Sequence, residues 1–256
     1  ALAATITVTT TVDENDGSCA DGDCSLRDAV ATAVAGDTIF VPSGTYLLTL
    51  GELVISKNLL IVGSTSSPVR NGNASSRIFQ VIAPASLRLS NLVIRNGHSA
   101  EGGGIALYGG SLELDNIEVR GNVATNNGGG IYLGASGTVT LLSGKISQNT
   151  AAIGGGGIYT MNGAVIQAGG EIEENSAGTG GGVFVNLPGA SFTLNEGIVQ
   201  QNNGVAAESG GGGVYVAQGV VTINGGQISE NSGVRGGGIQ SANGKIVLNG
   251  GNIKEN

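Results

Sequence analysis

The sequence predicts an all-β protein: a single right-handed parallel β-helix with three short strands per coil, closed at its N-terminal end by a capping helix. Three observations predict it. From about residue 87 the chain repeats itself every 25–29 residues, a period that belongs to solenoids and arrays. Each repeat breaks into apolar-alternating pieces, rich in β-branched residues and too short for helices. Glycine supplies 48 of the 256 residues, far above its usual share of about 7%, and it recurs at a fixed phase rather than in low-complexity runs.

The chain divides into residues 1–36, an N-terminal strand, acidic loop and capping helix, and residues 37–256, the β-helix proper. Ala1-Leu2-Ala3-Ala4 has no basic and long apolar lead, so this end reads as a mature one with a signal peptide already removed. Ala4 to Val12 is Thr-rich and β-prone, suited either to capping its own coil or to adding to a neighbour's. The acidic loop that follows holds Asp13, Asn15, Asp16, Asp21 and Asp23. Its oxygen density suits Ca²⁺, although the order is not that of an EF-hand, and a solvated cap loop is the alternative. Cys19 and Cys24 sit close enough for a local disulfide, which fits an oxidising, extracytoplasmic compartment. Two reduced structural thiols remain open, whereas one pair of Cys with one His in the chain cannot fill a tetrahedral metal site. Ser25 to Ala35 is the one convincing helix: Ser25 and Asp28 form a capping-box-like pair, Gly36 stops it, and Leu26, Ala29, Val30, Ala33 and Val34 give it an apolar face. An open coil end exposes core and strand edges, so this helix is the expected lid.

The early coil is irregular. Asp37 to Val41, Leu53 to Ile55 and Leu59 to Val62 read as strands, and Pro68 to Ser76 as a polar excursion from the coil. Two marks then recur. Gly-Gly-Gly precedes Ile105, Ile131, Ile158, Val183, Val214 and Ile239. A β-branched residue, two variable residues and an Asn place Asn96, Asn122, Asn149, Asn175, Asn202, Asn231 and Asn256 at near-constant spacing. Stacked coils bring equivalent residues about 4.8 Å apart, and an amide both donates and accepts, so these residues are expected to form an inward-turned asparagine ladder. Within the repeat 128–150, Ile131 to Leu133, Thr138 to Leu142 and Lys145 to Ser147 are the expected strands. Tyr132, Tyr159, Phe184 and Tyr215 each follow the residue after a Gly triplet. Alternation turns them outward where Ile131 and Leu133 turn inward, giving an aromatic column between Ala106 and Gln240 that is either a contact strip or a stack that steadies the coil.

The segment Cys24-Ser25-Leu26-Arg27-Asp28-Ala29-Val30, with Gly36-Asp37-Thr38-Ile39 and Pro42-Ser43-Gly44-Thr45-Tyr46 after it, resembles the bacterial CSLREA-type N-terminal domain, with Asp28 where that name has Glu. The alternation of Gly-Gly-Gly-Ile with Ile-x-x-Asn is similar to the repeats of chlamydial polymorphic outer membrane proteins, which use Gly-Gly-Ala-Ile and Phe-x-x-Asn. Together these cover nearly the whole chain. The resemblance implies a secreted or surface-displayed, adhesin-like β-helix and no defined activity.

The residues give the same bias. The formal net charge is −8 and the cations are scattered, which disfavours nucleic acid. No apolar run approaches the roughly 20 residues of a transmembrane helix. Only Asp115 among the aspartates lies on the regular coil, whereas polysaccharide hydrolysis needs paired carboxylates at a cleft. The best lyase-like grouping is Glu171, Glu173 and Glu174 with Lys145 one coil before, and His98 is the one histidine. The expectation is therefore a non-catalytic structural or adhesive module at the cell surface, with a carbohydrate or protein partner and no cofactor beyond Ca²⁺. A polysaccharide lyase-like enzyme and a head-to-tail filament subunit are the alternatives; the chain stops at Asn256 partway through a coil, which is expected first of a fragment of a longer chain and next of head-to-tail assembly.

Overall fold

The computed structural model describes residues 3–65, 69–206 and 210–256; Ala1 and Leu2 of the expected mature end, and Pro68 of the expected excursion, lie outside the described residues. The chain winds as an all-β parallel solenoid with three sheets running along its length. Among the described residues every strand pairing is parallel, and the pairings join each coil to the next. The eight strands of sheet B, from Leu53–Ile55 to Ile239–Ser241, mark about eight coils.

The three faces are shared out differently from the three pieces read in one repeat. Ile131–Leu133 belongs to sheet B, but Thr138–Leu141 and Gly144–Ser147 both belong to sheet A. In earlier coils those two pieces are one bent strand, Ser86–Arg95 or Ser111–Arg120, turning at Asn91 and Asn116 in the left-handed region. Sheet C comes from segments such as Thr150–Gly154, with buried Ala124, Ala151 and Ala177 as its own small cluster. These small residues give a weak alternating pattern, which is why this face is hard to see in the sequence.

The core follows the period-2 rule: Leu112, Val139, Val165, Phe192 and Val221 lie in register and are buried. Beside them runs the asparagine ladder. Asn122, Asn149, Asn175, Asn202 and Asn231 are buried. Each donates from both its backbone N–H and its Nδ2 to the Oδ1 of the next coil's Asn, at 2.9–3.1 Å. The Nδ2 also donates to a carbonyl of the preceding coil, Ile94 for Asn122 and Ile146 for Asn175. The third Gly of each triplet faces this ladder: a Cβ on Gly130 would stand 2.7 Å from the Gly157 carbonyl and 3.0 Å from Asn149 Nδ2. The two sequence marks are therefore two sides of one packed corner.

Asn96 is not a rung. Arg95 pairs with Arg120, so Asn96 stands opposite Gly121 and Gly97 opposite Asn122, and it is the Gly97 N–H that donates to Asn122 Oδ1 at 2.8 Å. Asn96 takes instead the left-handed corner (φ 54°) held in later coils by Gln148, Glu174, Gln201 and Glu230. Amide chemistry suits both positions, which is how the spacing misleads by one residue.

The N-terminal end is closed by the helix Leu26–Thr32. Ser25 caps it, its Oγ accepting from the Asp28 N–H at 3.0 Å and donating to the Asp28 carboxylate at 2.7 Å. Leu26, Ala29 and Val30 pack on the core, whereas Val34, beyond the helix end, is exposed. The Ala4 to Val12 stretch adds to its own coil, Thr5–Thr7 pairing in parallel with Thr38 to Phe40. The expected excursion contains a strand, Val69–Asn71, paired on both sides. It carries Arg70 into the interior, fully buried, its guanidinium 4.3 Å from the centre of the Tyr46 ring.

Candidate functional site

The aromatic column lies on the outer face of sheet B, outside the coil core. Tyr132, Tyr159, Phe184 and Tyr215 are in register from coil to coil, with Ala106 and Gln240 at the ends. Their centroids are 5.4, 5.0 and 4.9 Å apart along the stack. Tyr108, from the coil before, closes edge-on against Tyr132 at 6.1 Å, an addition that register alone does not give, because Tyr108 sits two residues after Ala106. The column points outward from the coil, but Tyr132 and Tyr159 are only 3% and 6% exposed. Each ring lies over the next, and Met161 packs against the pair. Burial, with the Glu101 carboxylate beside it, pushes the Tyr132 hydroxyl well above its ordinary range. Burial likewise raises Tyr159, whose hydroxyl accepts from Asn186 Nδ2 at 2.7 Å. The accessible parts are the two ends: Phe184 and Tyr215 are half-buried, and Tyr108 at the other end is exposed.

The acidic loop does not gather all five predicted oxygens. Asp16, Asp21 and Asp23 are exposed and bring carboxylate oxygens within 4.8 Å of one another, and Asn15 is exposed in the same loop. Asp13 is elsewhere. Its side chain is 3% exposed, paired with Arg27 at 2.8 Å and accepting from the Thr49 and Leu50 N–H groups. Burial alone raises this carboxyl, but Arg27 and the two backbone donors outweigh it and hold it below the usual range. Asp13 is thus a structural clasp between loop, helix and first coil. Cys19 and Cys24 form a disulfide within the same loop.

The outer face of sheet A carries the grouping with the most enzyme-like composition. Lys145 is clamped between Glu171 and Glu173, both at 2.7 Å, and these hydrogen bonds hold the ammonium far above its ordinary range. Burial raises the Glu173 carboxyl, but Lys145 and Gln200 outweigh it and keep it ionised. Glu174 turns away to accept from Gln148 at 2.8 Å. The two carboxylates favour the charged form of the lysine, which is not the form that acts as a base. The adjoining groove, of about 370 Å³, is lined by Glu118, Lys145 and Asn116. Arg88 pairs with Glu113 at 2.8 Å and Asp115 at 3.1 Å. Among the described residues no helix is long and apolar enough to cross a membrane.

Residues 70–220 match the model of the right handed beta helix region family. No curated protein matches the chain, and no solved structure does.

Proposed function

Because the chain belongs to the right-handed β-helix region family, we propose that it works as a non-catalytic secreted or cell-surface module, its coil a rigid rod that presents a contact surface to a glycan. The observation that carries this reading is the ring column: five aromatic residues on successive coils form a stack outside the core, with its Phe184 and Tyr215 end open to solvent. Aromatic faces provide large, rigid, apolar area for the faces of sugar rings. The buried Tyr132 and Tyr159 anchor that end, because each ring packs on the next. The clamped Lys145 supports the non-catalytic part, since the best base on the coil is bound to two carboxylates. The disulfide and the resemblance of the Cys24 to Val30 segment to surface-protein N-terminal domains support the extracellular setting.

Phe184→Ala and Tyr215→Ala test the reading by glycan binding on an immobilised panel of neutral oligosaccharides. The expected result is binding by the unaltered protein that falls about tenfold in either variant, near the top of the roughly 0.5–1.5 kcal/mol that one aromatic contact adds. Binding unchanged in both variants, or no glycan bound at all, would count against it.

A further inference from the structure

A second surface, on the opposite side of the coil from the rings' sheet, lies at the corner between sheets A and C. Arg95 and Arg120 are register partners on adjacent coils, about one strand spacing apart. Like charges placed directly opposite each other destabilise a sheet, and two other cations of this face are offset by carboxylates: Arg88 has Glu113 and Asp115, and Lys145 has Glu171 and Glu173. The Arg95 side chain makes no hydrogen bond or ion pair with any described residue, and its Nε is buried without an acceptor. Arg120 has a 3.2 Å ion pair with Glu118 of its own strand, half-exposed on both sides, and its Nε too lacks a hydrogen bond.

The same corner is hollow. A groove of about 160 Å³ is lined by Arg95, Arg120, Asn96, Gly121 and Gln148. It shares Asn96 and Gly121 with a second groove of about 280 Å³ that reaches Asn71, Asn73 and His98. The hollow has a specific cause. Corner residues stack in one left-handed column, filled by Asn96 before Gly121 and by Gln148 and Glu174 after it. Gly121 leaves a gap in that column, and a Cβ placed there would meet nothing nearer than Asn96 Oδ1 at 3.8 Å. Two forked donors at the edge of a side-chain-sized gap, with amides along its walls, match an oxyanion flanked by hydroxyls.

We propose that this corner is a binding site for a sulfate or carboxylate group, with Arg95 and Arg120 as its charged donors, His98 and the Asn96 and Gln148 amides contacting the group's neighbours, and Gly121 as the opening. The site is independent of the ring column and of whether the chain is catalytic.

The probes are dextran sulfate, neutral dextran and inorganic sulfate, titrated at low ionic strength against the full chain. Arg95→Gln removes one donor, and Gly121→Gln fills the gap with the side chain that the next coil carries at the same backbone angle, leaving both arginines in place. Dextran sulfate is expected to bind about tenfold more tightly than neutral dextran. Each variant is expected to weaken binding about tenfold, the loss of a charge-assisted contact, while Arg88→Gln, a paired cation on the same face, changes it by less than about twofold. Competition by inorganic sulfate identifies the free oxyanion as sufficient; its failure to compete, with binding still lost in Gly121→Gln, identifies the glycan-borne group. Circular dichroism shows that each variant keeps its fold. The proposal is overturned if dextran sulfate does not bind, if Arg95→Gln and Gly121→Gln bind as well as the unaltered protein, or if Arg88→Gln loses as much as they do.

Discussion

The amide of Asn175 commits every polar group to a neighbouring coil. Its N–H and Nδ2 donate to Asn202 and Ile146, and its Oδ1 accepts twice from Asn149. Asn175→Leu fits the space but leaves buried donors and acceptors unpaired, so stability in urea should fall by about 1–3 kcal/mol; an unchanged midpoint would mean the ladder contributes nothing. On the other side of the corner, Gly130→Ala pushes a methyl against the Gly157 carbonyl and should cost about 1–3 kcal/mol through overpacking. Arg70 presents the reverse case. Its three guanidinium nitrogens are buried without an acceptor, and burial pulls its pKa down to about 9. The Tyr46 face returns part of that cost. Arg70→Met, of similar length and uncharged, should leave urea stability equal or raise it by about 1–3 kcal/mol, whereas a loss of that size would show that the guanidinium has a partner.

At the scale of elements, the N-terminal lid is fastened by charge as much as by apolar contact. Asp13 ties Arg27 on the helix to the N–H groups of Thr49 and Leu50 on the first coil. Asp37 accepts from the Ala4 and Val34 N–H groups, which with Lys57 nearby hold its carboxyl below the usual range. Both folded-state pKa values are depressed, so the stability they supply is complete above the unfolded-state value of about 3.9 and is lost as pH falls through the lower folded-state values. The urea midpoint should be flat from neutral pH down to about 5 and drop below about 4. Asp13→Asn should lower the plateau and shrink the acid-dependent part; a variant with the parent's full acid transition would show that Asp13 does not titrate with folding. The helix itself was legible, because Ser25 and Asp28 act locally. The role of Asp13 was not, since its oxygens are claimed by residues 14 to 37 positions away, and from sequence it reads as one more acidic ligand.

For the molecule as a whole, period and alternation carry the architecture because in a solenoid each coil contacts mainly its neighbours. Six ladder rungs, from Asn122 to Asn256, could be read from spacing alone. What failed was phase. Asn96 follows the spacing but stands one residue early, and only the pairing of Arg95 with Arg120 exposes the slip. The same register brings those two arginines together, a juxtaposition hidden in the sequence because nothing marks which residues share a rung. The outward direction of the aromatic column was legible from alternation; its partial burial was not, because coverage comes from Tyr108 and Met161, which lie off the repeated position. The central claim is that this coil binds without turning over what it binds. The most direct test is incubation with a panel of plant and bacterial polysaccharides, following new reducing ends and the absorbance of unsaturated ends. The account predicts no signal above the protein-free control for any of them. Turnover of one polysaccharide, abolished by Glu118→Gln or Glu173→Gln in a variant that still folds, would contradict it.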